Sequence, residues 1–99
     1  MNRQSLAVEI WSQVQQIASA RGLVRVTRID LTVGRSLGLP ADALAVSFVE
    51  SFRGSGMQGA DLHILIVDAG QPFLPPDCDE QAVANGFELL VTRIEGLEW

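Results

Sequence analysis

The residues best suited to chemistry in this chain are its single cysteine and its single histidine. Cys78 stands between Asp77 and Asp79 in the proline-rich stretch PFLPPDCDEQ. Thiolates and carboxylates are metal ligands, so a residual site at Asp77, Cys78 and Asp79 is the sharpest metal hypothesis, and the imidazole of His63 is a separate weak candidate. In an extended segment, however, successive side chains point to opposite sides, which turns Cys78 away from both aspartates. The sequence therefore favours a solvated acidic loop over a metal site.

Enzymatic catalysis finds no support among the remaining polar residues. His63 alternates with Leu62 and Ile64, and one imidazole without a convergent partner makes neither a catalytic triad nor a metal site. The serines have no base at a recognisable spacing. The glycine-rich turns cannot form a phosphate-binding loop of the Walker type, because the chain contains no lysine. We therefore interpret the protein as a non-enzyme.

Composition indicates one soluble globular domain spanning residues 1–99. Hydrophobic residues make up 47% and charged residues 19% of the 99 positions, an ordinary globular balance. The net charge of −5 and the scattered arginines argue against nucleic-acid binding, and no apolar run reaches the roughly 18–20 residues that cross a bilayer. The chain also opens without a signal-peptide core. We expect a cytoplasmic protein that binds neither nucleic acid nor membrane.

Two helices are predicted from apolar residues spaced three and four apart. The first extends from Leu6, with Ser5 as its cap and Gly22 at its end. The second begins near Pro40, placed at its first position, where proline is tolerated. The core side of this second helix consists of Leu44, Phe48 and Phe52.

Three strands are predicted from alternating apolar residues. The stretch LVRVTRIDLTVG alternates with a change of parity near Thr27, which indicates a bulge. The stretch ADLHILIVDA places His63 on the side away from the helices. The last stretch, GFELLVTRIEGLEW, changes parity after Val91. Its apolar positions are Phe87, Leu89, Val91, Ile94, Leu97 and Trp99. The order α-β-α-β-β predicts an α+β two-layer sandwich, with two helices on one face of a three-stranded sheet.

Several sequence blocks resemble the HypA/HybF family of nickel metallochaperones for NiFe-hydrogenase maturation. They are SLAVEI at 5–10, VTRIDLTVG at 26–34, GLPADALAVSF at 38–48, GADLHI at 59–64 and FELLVTRIE at 87–95, in the family's order. The resemblance implies the same α+β fold, a nickel site built on a Met-His-Glu opening, and a zinc module with two Cys-x-x-Cys pairs between the second and third strands.

This chain departs from the family at both implied metal sites. Asn2 stands at the histidine position and Arg3 at the glutamate position, so after Met1 the expected nickel ligands are missing. Residues 68–85 occupy the interval of the zinc module, and Cys78 alone cannot replace four thiolates. We predict that this segment is a short loop, stiffened by prolines into an extended connection, that replaces the module. We expect no zinc and at most weak nickel binding.

The resemblance implies a role in metalloenzyme maturation through contact with other proteins, such as a maturation GTPase or a hydrogenase subunit. The residues predicted for that contact are Met1, Asn2, Arg3, Gln4 and Trp99. Two alternatives stay open. One is a weak nickel carrier that uses its amino terminus, and the other is a structural or regulatory homodimer that functions without metal.

Overall fold

A computed structural model describes residues 3–75 and 78–98 of the chain, with the side chains of residues 3–5 excluded. Two helices and three long strands alternate with short elements. In chain order they are α1 (Arg3–Arg21), β1 (Leu23–Gly34), a 3-10 turn (Arg35–Leu37), α2 (Ala41–Phe52), β2 (Asp61–Val67), β3 (Pro72–Phe73), β4 (Ala82–Val83) and β5 (Leu89–Glu98).

The main sheet has the strand order β2-β1-β5, with β1 in the centre. Strand β2 lies parallel to β1, and β5 lies antiparallel to it. Parallel neighbours require a crossover connection, which α2 supplies between β1 and β2. Apolar side chains of both helices join those of β1 and β5 in one hydrophobic cluster. The predicted α+β sandwich, with both helices on one face of a three-stranded sheet, is confirmed.

The core contains most of the apolar residues that the sequence periodicity predicted. Leu31 is 1% exposed and Phe48 is fully buried. The rings of Phe48 and Phe52 stack with centroids 6.4 Å apart. The other buried members of the cluster are Leu6, Ala7, Ile10, Val14, Val26, Ile29, Val33, Leu44, Met57, Val91 and Ile94. Packing of this cluster holds both helices against the main sheet.

The predicted parity change in β1 is present as a register shift between Val26 and Arg28. Val26 and Ile29 are both buried although they are three positions apart, which an added residue on one strand permits. Val24, two positions before Val26 in the alternating pattern, is nevertheless 55% exposed. Val24 borders a cavity of about 200 Å³, so the neighbouring side chains do not close over it.

The ends of several elements differ from the sequence prediction. Helix α1 begins at Arg3, so Ser5 lies inside the helix and is not its cap. Pro40 has extended backbone angles and precedes α2 as its cap residue. Phe87 is 62% exposed because it lies in a turn before β5 begins. Leu97 is 57% exposed and pairs with Arg25. Register shifts between β1 and β5 change which side chains of β5 face the core before Leu97 is reached.

Residues 68–85 contain secondary structure that the prediction of an extended, proline-stiffened loop omitted. Strands β3 and β4 pair antiparallel, Pro72 with Val83 and Phe73 with Ala82, and we call this pair the ribbon. Phe73 and Ala84 form a second buried cluster with Val67 of β2. Ile66, the preceding residue, packs on the helix side of the sheet, so Val67 lies on the opposite side. The ribbon therefore covers one end of the sheet surface that faces away from the helices.

Candidate functional site

The surface of the sheet opposite the helices, which we call the open face, carries the only histidine. His63 is exposed there and lies beside Asp30 in the register of β2 and β1. A groove of about 500 Å³ passes over this surface. Its polar lining residues are Arg28, Asp30, Thr32, His63 and Thr92. The predicted position of His63, away from the helices, is where the structure places it.

The polar groups of the open face bind one another. Arg28 Nε donates to Asp30 Oδ1 at 2.9 Å, and Arg28 lies in register with Asp61 on one side and Glu95 on the other. The hydrogen bond to Asp30, followed by the charges of Asp30, Glu95 and Asp61, raises the pKa of Arg28 above its ordinary value despite partial desolvation. A cation held between carboxylates neutralises them. This arrangement suits a salt-bridged surface better than a metal site.

The other arginines near β1 are also engaged within the chain. Arg21 Nη1 donates to the carbonyl of Ile94 at 2.6 Å, and Arg25 Nη2 donates to the carbonyl of Gln58 at 3.2 Å. Together with the ion pair of Arg28, these bonds engage Arg21, Arg25 and Arg28 with three separate partners.

Cys78 lies on the surface of the segment between β3 and β4. Its side chain is exposed and its backbone N–H donates to the carbonyl of Pro75 at 3.3 Å. Asp79 is exposed as well, whereas Asp77 lies outside the described residues, as do Met1, Asn2 and Trp99. Arg3 and Gln4 belong to the first turn of α1. Within residues 3–75 and 78–98, no group of three or more His, Cys, Asp or Glu side chains is placed to hold a metal ion.

A turn at Asn85–Glu88, which we call the clasp, joins the ribbon to β5 and was missed by the sequence reasoning. Glu88 accepts the backbone N–H groups of Asn85 at 2.8 Å and of Gly86 at 3.0 Å. Asn85 Oδ1 accepts the N–H of Phe87 at 2.8 Å. The signal that could have revealed it is Asn-Gly followed closely by a glutamate, since Asn and Gly favour tight turns.

The electrostatics of the clasp depend on the Glu88 carboxylate. Desolvation is the largest single influence and raises the pKa of Glu88. The backbone N–H groups of Asn85, Glu88 and Gly86 together outweigh it, so the net pKa lies below its ordinary value of 4.5. Hydrogen bonds to the ionised form favour that form. The clasp is therefore held by a charged carboxylate at neutral pH.

The clasp is pressed against the end of β1. The N–H of Gly34 donates to the carbonyl of Glu88 at 2.8 Å, and the N–H of Ser36 donates to the carbonyl of Gly86 at 2.8 Å. A Cβ atom on Gly34 would lie 2.1 Å from the carbonyl carbon and oxygen of Gly86. Gly86 itself has a φ of +93, a backbone conformation that glycine adopts readily and other residues rarely do. The two backbones can approach this closely only because both residues are glycine.

Helix α1 covers the free edge of β5. The Gln13 side chain accepts the N–H of Val91 at 2.9 Å and donates to the carbonyl of Leu89 at 3.2 Å, so its amide behaves like one residue of an additional strand. Arg21 bonds the carbonyl of Ile94 farther along the same strand. Such coverage prevents unpaired backbone groups from pairing with other chains.

Trp11 is 38% exposed on α1. It lines a cleft of about 280 Å³ with Ala7, Val8 and Ser51, between α1 and α2. Trp11 therefore lies at the edge of the core.

None of the helices in residues 3–75 and 78–98 combines the length and the apolar sequence needed to span a bilayer.

Sequence relatives of this chain include hydrogenase maturation factors, although no protein-family profile matches it. The chain is 34% identical over 85 residues to the hydrogenase maturation factor HypA of Xanthobacter autotrophicus, an alignment that covers 86% of this chain and 74% of that protein. It is 36% identical over 81 residues to HypA of Paracoccus denitrificans, covering 82% of this chain and 70% of that one.

A solved structure agrees with these relatives in fold. The solution structure of the Ni metallochaperone HypA from Helicobacter pylori superposes with a TM-score of 0.70 over all of both chains, at 14% sequence identity. At that identity the superposition supports the fold alone, and the alignments with the curated relatives carry the relationship. The chain belongs to the HypA family.

Proposed function

We propose that this protein is an accessory factor of metalloenzyme maturation, of the NiFe-hydrogenase type, that acts by contact with other proteins. The observation that carries the proposal is that the chain aligns over 86% of its length with a hydrogenase maturation factor while holding one cysteine and one histidine. The scaffold is kept, and the residues that would bind metal are not. The role is therefore one of binding and assembly, not of catalysis.

The residues present at the amino terminus do not fit nickel. Asn2 offers an amide oxygen where Ni(II) prefers an imidazole nitrogen, and Arg3 adds a positive charge. Arg3 is the first residue of α1, and the start of a helix carries the positive end of its dipole. Each of these features opposes a bound cation. We propose that Met1, Asn2, Arg3 and Gln4, with Trp99 at the other terminus, contribute to protein contact.

The residues present between β2 and β5 do not fit zinc. A structural zinc site needs four ligands, usually several thiolates, and Cys78 is the only cysteine. We propose that residues 68–85 replace the family's zinc module within a single domain of residues 1–99. The ribbon and the clasp support this proposal, because they join β2 to β5 through backbone pairing and carboxylate hydrogen bonds that need no metal.

Nickel titration tests the loss of the metal site. The double variant Asn2→His with Arg3→Glu places an imidazole and a carboxylate beside the terminal amine. Calorimetry with Ni(II) at neutral pH should show weak or no binding by the native protein and at least a tenfold gain, about 1.4 kcal/mol, by the variant. Equally tight binding by both would contradict the proposal and favour the alternative of a nickel carrier.

A matched control shows whether the gain depends on the terminus. Gln15→His with Gln16→Glu creates the same pair of ligands on exposed positions of α1, away from the terminal amine. This control should bind Ni(II) no better than the native protein. If it bound as well as the terminal variant, nickel affinity would reflect ligand count alone, and position two would have no special role.

The proposed contact is tested with partners from the same genome. We propose that the protein acts in the cytoplasm, where it binds a maturation GTPase or a hydrogenase large subunit. With purified proteins, we expect the same affinity in the presence of a chelator and in the presence of added nickel. Biolayer interferometry under both conditions measures this. Binding that requires nickel would indicate the carrier, whereas no binding to either protein would favour the alternative of a metal-independent structural or regulatory module.

A further inference from the structure

One stripe of α2 is apolar at its centre and faces solvent. Asp42, Val46, Val49 and Arg53 follow one another at spacings of four, three and four residues, which places them on one side of the helix. Val46 is 60% exposed and Val49 is 56% exposed. Leu44 and Phe48, on the core side of α2, are buried. We call the four exposed residues the α2 stripe.

The charged ends of the α2 stripe are available for contact with another molecule. Asp42 lies in the first turn of α2 and Arg53 at its carboxyl end, and both are exposed. The ion pairs of residues 3–75 and 78–98 join Arg28 to Asp30, Arg35 to Asp68 and Arg93 to Glu95. The α2 stripe therefore ends in opposite charges that the described fold does not use.

The α2 stripe is complementary to itself in the antiparallel direction. When two copies of α2 lie side by side in opposite directions about a twofold axis midway along the helix, Asp42 of each copy meets Arg53 of the other. The same axis brings Val46 against Val49. Each contact occurs twice, as an isologous interface requires. The helix dipoles also oppose each other favourably in this arrangement.

We propose that a second copy of this chain docks on the α2 stripe and forms an antiparallel α2–α2 homodimer. Charge complementarity favours a second copy as the occupant, since the order acid, valine, valine, base is complementary to its own reverse. A helix of 12 residues is about 18 Å long, so the interface lies below the roughly 1,200 Å² of a stable complex. The dimer is consequently weak and forms at high protein concentration. The proposal does not depend on the maturation role.

Sedimentation equilibrium between roughly 10 µM and 1 mM, at 0.15 M salt, tests the proposal. All proteins carry Cys78→Ser, so that no intermolecular disulfide forms. The mean mass should rise from 10.7 kDa toward twice that value with concentration. Asp42→Arg alone and Arg53→Asp alone should each weaken association at least tenfold, because each places two like-charged pairs in the dimer. The double variant should restore association to within about threefold.

Controls separate the interface from general effects of charge and folding. Glu50→Arg changes the charge of an exposed α2 residue outside the stripe and should alter association less than threefold. Unfolding midpoints in dilute solution establish that each variant is folded. A native protein that stays monomeric at 1 mM overturns the proposal and leaves the stripe for solvent or a different protein. Failure of the double variant to recover, with every variant folded, overturns the antiparallel arrangement.

Discussion

Replacing Gly34 by alanine tests whether the clasp is held against β1 by close backbone contact. Gly34 has φ −72 and ψ 134, an extended conformation that alanine adopts without strain. The penalty must therefore come from space. The new Cβ would lie 2.1 Å from the Gly86 carbonyl, whereas ordinary contacts lie at 3.4–4 Å. One of the two backbone segments has to move by more than 1 Å.

The cost follows from what that movement disrupts. Two hydrogen bonds link the segments, from Gly34 to Glu88 and from Ser36 to Gly86. Each contributes about 0.5–1.5 kcal/mol, and the strain of overpacking adds about 1–3 kcal/mol. We expect Gly34→Ala to lower the free energy of unfolding by about 3 kcal/mol. For a domain of this size the melting temperature would fall by roughly 12–24 °C.

Gly22→Ala is the matched control because its penalty has a different origin. Gly22 has φ +68, and a Cβ atom added to it would meet nothing within 4 Å, so alanine there suffers only the left-handed backbone conformation. That conformation costs about 1–2 kcal/mol. Urea unfolding of both variants, followed by circular dichroism, compares them. A loss at Gly34 equal to or smaller than the loss at Gly22 would refute the close contact.

Three further predictions concern the core, the clasp and metal content. Phe48→Ala should cost about 3–5 kcal/mol, because Phe48 is fully buried, whereas Cys78→Ser should cost almost nothing because Cys78 is exposed. Denaturant midpoints check this ranking, and the reverse order would contradict the helix phase. Because folding lowers the pKa of Glu88, the ionised carboxylate stabilises the folded state fully above its unfolded pKa of about 4.5. This stabilisation is lost as the pH falls through the lower pKa of Glu88 in the folded protein. The native protein should therefore be more stable than Glu88→Gln at pH 7, and the difference in unfolding free energy should shrink as the pH is lowered. A difference that stays constant from neutral pH down to the lowest pH at which both proteins fold would argue against the carboxylate bonds. Purified protein should contain no stoichiometric zinc, and about one zinc per chain by elemental analysis would indicate a site shared between chains.

Local periodicity was enough to predict the main elements and the fold class. The spacing of Leu44, Phe48 and Phe52 identified the buried side of α2 because residues four apart lie above one another on a helix. The alternation around His63 placed it on the open face for the equivalent reason in a strand. The parity change near Thr27 was also visible, since a bulge leaves two apolar residues three positions apart. The resemblance to the HypA family rested on these same segments.

Contacts between distant residues could be seen only once the chain was folded. Gln13 binds Leu89 and Val91 more than seventy residues away, and nothing in the sequence around Gln13 indicates that its amide covers a strand edge. The approach of Gly34 to Gly86 likewise depends on how two separate segments meet, although each glycine is ordinary in its local sequence. Phe87 followed the alternating pattern of β5 but is exposed, because the clasp engages its backbone before the strand begins. The order of apolar and polar residues was sufficient to predict the helices and the long strands from the sequence. The ribbon, the clasp and the covered edge of β5 emerged from the folded chain, because hydrogen bonds and close contacts depend on distances that folding creates between segments remote in the chain.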